Sequence, residues 1–75
     1  SLDGVQLAML FSEGRKGKTR INFRSSGNVK VLALAEQFKG GGHTQAAGAI
    51  LDAPLADAVA VVIPKAVEYM RTIGK

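Results

Sequence analysis

Hydrophobic and polar residues alternate twice near the start of the chain, and the alternation predicts a hairpin. Val5, Leu7, Met9 and Phe11 interleave with Gln6, Ala8, Leu10 and Ser12. A period of two puts successive side chains on opposite sides of an extended backbone, so this stretch is a strand with its first set facing a core. The second set is fairly apolar too, as suits a central strand. Glu13-Gly14-Arg15-Lys16-Gly17-Lys18 is polar and carries two glycines, which marks a turn. Thr19, Ile21 and Phe23 then alternate with Arg20, Asn22 and Arg24 in a second strand. The polar side of that strand has two readings, ordinary solvent exposure or a face that meets phosphate, whose oxygens match the arginine fork.

The period then lengthens. Ser25-Ser26-Gly27-Asn28 breaks the strand. Val31, Leu34, Ala35 and Phe38 recur at i, i+3, i+4 and i+7, one face of a helix ending before Gly40, which suits the C′ position. Taken residue by residue, Asn28 is the best N-cap for a helix over Val29 to Phe38. Ala47 to Leu51 reads as a third strand. Pro54 suits the first turn of a last helix. Leu55, Val59, Val62, Ile63, Ala66, Met70 and Ile73 make its apolar stripe, which is core packing rather than a cofactor site. Pro64 falls inside it and removes the bond to the Ala60 carbonyl, so a kinked helix to about Ile73, or two shorter ones, is expected. The result is an α+β domain: a small mixed sheet, in the order strand-strand-helix-strand-helix, with its helices packed on one face.

Composition narrows the partners. Seventy-five residues make one small domain near the lower limit of independent stability. There is no cysteine, hence neither a disulfide framework nor a thiolate metal site, which fits a reducing cytoplasm. No apolar stretch approaches the length of a membrane span, and the N-terminus lacks the basic and apolar runs of a signal peptide. The net charge is +4 and unevenly spread. Arg15, Lys16, Lys18, Arg20, Arg24, Lys30 and Lys39 stand against the single acid Glu36 between residues 15 and 39, while the rest of the chain to its C-terminus balances. A basic region of this kind favours anionic partners such as nucleotide or nucleic acid.

That region leads into Gly40-Gly41-Gly42-His43-Thr44-Gln45-Ala46-Ala47-Gly48. A triple glycine is entropically costly, so it needs a reason. It can take backbone conformations closed to other residues, and it admits a ligand close to exposed N–H groups, a concavity that suits an anion. His43, the only histidine, adds a side-chain donor at the end of the run. The blander alternative is a helix cap followed by a loose turn, and the bare Gly-Gly-Gly-His string favours that alternative.

The longer string shifts the balance. Phe38-Lys39-Gly40-Gly41-Gly42-His43, two spacers, then Ala46-Ala47-Gly48 resembles the signature of the DHH-associated domain, and Phe23-Arg24-Ser25-Ser26-Gly27 resembles its second marker, an Arg-Ser pair ending a strand. The resemblance runs from about Val5 to the end. Many members carry a fourth glycine where this chain has Lys39. The resemblance implies a C-terminal substrate-binding domain of DHH-family phosphoesterases. These include RecJ-like exonucleases, oligoribonucleases, cyclic-dinucleotide phosphodiesterases and exopolyphosphatase-related proteins; alanyl-tRNA synthetases carry a more distant relative. It also implies a helix starting nearer Leu32, with Val29-Lys30-Val31 extended, and this later start is preferred.

The implied site residues are Arg24, Ser25, Gly40, Gly41, Gly42 and His43, with Arg24 and His43 expected to converge on one phosphate-sized space. At least one of Gly40, Gly41 and Gly42 is expected at positive φ, Gly40 first as the helix C′ residue. Alanine at Gly41 or Gly42 is then expected to impair function more than stability. Metal-assisted phosphoester hydrolysis needs several carboxylate and histidine ligands, and here the acids are scattered around one histidine. The chain on its own is therefore expected to be inactive, with catalytic residues and manganese belonging to a DHH domain in cis. The expected partner is a nucleotide or short single-stranded nucleic acid, a homodimer of the parent is allowed, and Ser1-Leu2-Asp3-Gly4 reads as a cut-in end. The alternative function is a protein-interaction or assembly domain with a basic face.

Overall fold

In the computed structural model, which describes residues 6–73, the two alternating stretches form a hairpin of β1 (Leu7–Glu13) and β2 (Thr19–Ser25). Val5 and the first four residues lie outside the described part. The Lys18 N–H donates to the Arg15 carbonyl and closes the connecting turn. The chain then passes through α1 (Leu32–Glu36), β3 (Gly41–His43), β4 (Ala46–Leu51) and α2 (Leu55–Ile73). The sheet order is β1-β2-β4-β3, and every pairing is antiparallel.

The α+β class and the layering follow from the alternation. Ile21 and Phe23 of β2 and Ala47 and Ala49 of β4 are buried on one face. Leu34 and Ala35 of α1 and Val62 and Ala66 of α2 cover them. Phe23 stacks on Phe38 with ring centroids 6.3 Å apart and planes within 10°. Burying a side chain of that size contributes about 1.5–3 kcal/mol. Thr19, buried at the start of β2, donates its hydroxyl to the Ala53 carbonyl at 2.8 Å and so ties the sheet to the entry of α2. The Tyr69 hydroxyl, on the far part of α2, donates to the Lys30 carbonyl.

Five features differ from the expectation. The sheet is antiparallel throughout and not mixed, because each strand pairs with its neighbour by a hairpin or an antiparallel return. β1 lies at an edge of the sheet, and β2, polar on one side, is central, because among the described residues no helix covers the second face of the sheet. The glycine stretch contains a fourth strand, since pairing with β4 supplies the order that glycine propensity does not. Pro54 precedes α2 rather than entering it: its carbonyl accepts the first helical bond, from the Ala58 N–H at 2.9 Å. The inward stripe of α2 runs Ala58, Val62, Ala66, while Ile63 and Ile73 are exposed. The later start of α1 holds. Val31, not Asn28, is its N-cap, and the Val31 N–H is taken by the Thr44 carbonyl at 2.7 Å. Pro64 lies inside a single helix.

Candidate functional site

The glycine run is positioned by α1 on one side and β4 on the other. At the end of α1 the Gly40 N–H reaches the Ala35 carbonyl at 2.9 Å and the Lys39 N–H the Glu36 carbonyl at 3.1 Å, the paired bonds of a Schellman ending. The residue in the left-handed conformation is Lys39, at φ +61°, and not Gly40. Gly40 serves another purpose. A Cβ there would run into the Gly48 carbonyl oxygen and lie 2.7 Å from the Ala49 Cβ, so only glycine lets the chain enter the sheet this close to β4. Gly42 has φ +138°, and a Cβ on it would stand 2.8 Å from both the Ala46 oxygen and the Ala47 Cα. Gly41 differs from both: its φ is ordinary and an added Cβ meets nothing within 4 Å.

Thr44 and Gln45, the two spacers of the motif, are the turn between β3 and β4. The turn is held from three directions. The Ser25 N–H donates to the Gln45 carbonyl at 3.0 Å, the Val31 N–H to the Thr44 carbonyl, and the Gln45 side-chain amide to the Gly27 carbonyl at 2.7 Å. His43 therefore stands on a braced hairpin rather than on a loose loop.

Register arranges the helix-free face in rows across the strands. His43, Ala46, Arg24 and Ala8 share one row, and Gly41, Gly48, Asn22 and Leu10 the next. A third holds Ile50, Arg20 and Ser12. A groove of about 490 Å³ lies over this face, within the size of small-molecule sites. Arg20, Asn22 and Arg24 line it from β2, Gly48 and Ile50 from β4, and Lys39 with Gly40, Gly41 and Gly42 from the far side. Its middle row has two glycines and so a floor partly free of side chains. Three cations line the groove and no carboxylate does.

His43 shares the row of Arg24, two strand spacings or about 10 Å away by backbone. It lines a neighbouring depression with Leu32, Thr44 and Gln45, which adjoins the groove through the shared residues Gly42 and Ala46.

A family model described as the DHHA1 domain matches residues 1–72. The chain belongs to that family. The DHHA1 domain is the DHH-associated domain of DHH-family phosphoesterases. No curated protein matches the sequence.

Within this DHHA1 domain the two residues of the Arg-Ser pair take different directions. Arg24 is exposed on the groove side. Ser25 alternates to the helix side, where its hydroxyl donates to the Val29 carbonyl at 2.6 Å and pins the chain between β2 and α1. Lys39, Gly48 and Ile50 line the groove as well: the β2–β4 pairing sets Gly48 beside Asn22 and Ile50 beside Arg20, and the β3–β4 pairing brings the chain that follows Lys39 to the same face.

The departure at residue 39 has a physical consequence. A non-glycine residue in the left-handed conformation is strained by about 1 kcal/mol or more. Lys39→Gly is expected to raise stability by up to about 1 kcal/mol, offset in part by the freer unfolded chain. Urea unfolding followed by circular dichroism measures this; a loss of stability would mean that the lysine side chain itself holds the α1 ending.

Among the described residues, no three of His, Asp or Glu come together. No helix of the described part is long and apolar enough to cross a membrane.

Proposed function

We propose that this DHHA1 domain is the substrate-gripping part of a manganese-dependent DHH phosphoesterase, and that its groove holds the phosphate of a nucleotide or short single-stranded oligonucleotide. One observation carries the reading: Arg24 and the Gly40–Gly42 segment line a single groove that has three cations, no acid and a floor cleared of side chains. Arg24 supplies a planar fork of donors to phosphate oxygens. Gly41, with free space where a side chain would stand, lets an oxygen come against the backbone. His43, exposed on the braced hairpin one row from Gly41, donates from the rim. The hydrolytic metal site belongs, in this proposal, to a DHH domain in cis, with the groove forming one wall of the shared cleft in a cytoplasmic enzyme.

The test is a titration of the chain with a nucleoside 5′-monophosphate at low and moderate salt. Amide signals of Gly41, Gly42 and Arg24 should shift, and affinity should fall as salt rises, because contacts at an exposed site are screened. Shifts confined to α2, or affinity indifferent to salt, would remove the phosphate contacts from the reading.

A second reading, an assembly domain, is favoured by a different surface. Leu7 and Met9 of β1 and Ile63, Val67 and Met70 of α2 line an apolar depression beside the unpaired edge of the sheet. Self-association at rising concentration, with no response to nucleotide, would favour it.

A further inference from the structure

The groove is longer than one phosphate needs. Arg24 and Arg20 lie on the same side of β2, four residues apart, a separation of roughly 14 Å along a strand. Between them the middle row holds Asn22 and the glycine floor of Gly48 and Gly41. Gly41 pairs with Gly48, so the chain running back from Gly41 to Lys39 moves away from the Arg24 row and toward the row of Ile50 and Arg20. Lys39 and Arg20 line the groove, and neither belongs to the Arg24 end. The two ends are therefore both cationic, and the middle is neutral and uncrowded.

The surroundings of the second end fit a chain-like ligand. Ile50, 58% exposed, stands in the Arg20 row, and Leu10, 64% exposed, stands in the middle row beside Asn22. Apolar side chains this open on a face otherwise marked by arginines offer flat contact to sugar or base between charged groups. Lys39 is held at this end of the groove by the Schellman ending of α1, which fixes its backbone.

We propose that Arg20 and Lys39 form a second anion subsite. It receives a phosphate one or more nucleotides removed from the one at Arg24, so this domain discriminates in favour of a linked chain of phosphodiesters over a single nucleotide. The proposal rests on the phosphate-groove reading and adds to it the residues that set ligand length. Arg20 and Lys39 are specificity-determining contacts: one arginine fork and one ammonium for the phosphate of this second subsite, with Ile50 in the row of Arg20.

The experiment compares two probes on the same chain, a 5′-phosphorylated RNA tetranucleotide and the corresponding nucleoside 5′-monophosphate, by fluorescence or shift titration. Both side chains are exposed, so Arg20→Gln and Lys39→Gln should fold, which circular dichroism checks. Each variant should lower the ratio of tetranucleotide to monophosphate affinity about fivefold, the effect of one lost charged contact. Each should also make the salt dependence of tetranucleotide binding shallower by about 0.7 in log–log slope, the share of one phosphate on a single strand. An unchanged ratio in both variants, whether because both probes weaken together or because neither does, overturns the second subsite. Arg24→Gln separates this failure from a deeper one. If Arg24→Gln weakens both probes while the ratio is unmoved by Arg20→Gln and Lys39→Gln, only the second subsite falls. If Arg24→Gln leaves both probes bound as before, or if neither probe binds the unmodified chain, the groove reading falls with it.

Discussion

Replacing Gly40 with alanine is expected to unfold the domain under conditions where the unmodified chain is folded. The added methyl would occupy the space of the Gly48 carbonyl oxygen and sit 2.7 Å from one Ala49 atom and 2.9 Å from another. Ordinary overpacking of a core costs about 1–3 kcal/mol because side chains can shift. Here the obstruction is backbone, and both sides are fixed. Gly40 is tied to the end of α1 through Ala35, and Gly48 and Ala49 are paired with Asn22 and Ile21 of the central strand. Relief requires β3 to leave β4, which also opens the hairpin that carries His43. A domain of this size has a stability toward the low end of the usual 5–15 kcal/mol or below it, so a loss above about 3 kcal/mol removes most of it. Gly42→Ala should act in the same direction, since it adds strain at φ +138° to contacts of 2.8 Å. Thermal and urea unfolding read the effect. A Gly40→Ala midpoint within a few degrees of the unmodified chain would mean that the backbone approach at Gly48 is looser than the packing implies.

This outcome changes what the glycine motif means. From residue types alone, Gly41 and Gly42 were expected to act together as a ligand-contacting pair, with Gly40 as the helix cap. The three glycines instead have three separate causes: close backbone approach at Gly40, free space at Gly41 and a positive φ at Gly42. A run of identical residues carries no information that separates these causes. The separation comes from the partner strand, whose register fixes which glycine faces Ala49, which faces the groove and which faces Ala47. The same holds for Ser25. Its place beside Arg24 in the sequence suggests a shared role, yet the period of two in β2 sends the neighbours to opposite faces.

What was legible is what depends on local periodicity or local chemistry. The alternations of β1 and β2, the apolar face around Leu34 and Ala35, and the long helix ending at Ile73 follow from spacing alone. The helix-free face of the sheet was half legible. Arg20, Asn22 and Arg24 share a face by alternation, but nothing local says whether a helix covers it. β1 looked central because both its faces are apolar. It is an edge strand: Leu7, Met9 and Phe11 pack only partly against the core, and Leu10 is open to solvent. β3 could not be anticipated from propensity, because glycine is a poor strand former and forms one here only through its neighbour.

Gly41→Ala is expected to give the opposite result to Gly40→Ala: a folded domain that no longer holds its ligand well. The backbone at Gly41 is ordinary, and the new methyl meets nothing within 4 Å, so the native state gains no strain. Alanine also restricts the unfolded chain, which stabilises by about 0.4–1 kcal/mol where the native conformation suits it. Stability should therefore be unchanged or slightly raised. Binding should move the other way. Gly41 and Gly48 are opposite each other in the middle row of the groove, and a methyl there stands on the cleared floor. A ligand oxygen seated against that floor must lift away, losing a backbone contact and the alignment of the arginine fork. Steric intrusion costing about 1–3 kcal/mol corresponds to a fall in affinity of roughly five- to a hundredfold. In a full-length parent enzyme a preorganised donor displaced from a developing charge can lower the rate by about a hundredfold. The pair of measurements is what discriminates. Gly41→Ala with full stability and full affinity would mean that the floor is empty when ligand is bound. The phosphate would then have to be held at the rim by Arg24 and His43 alone.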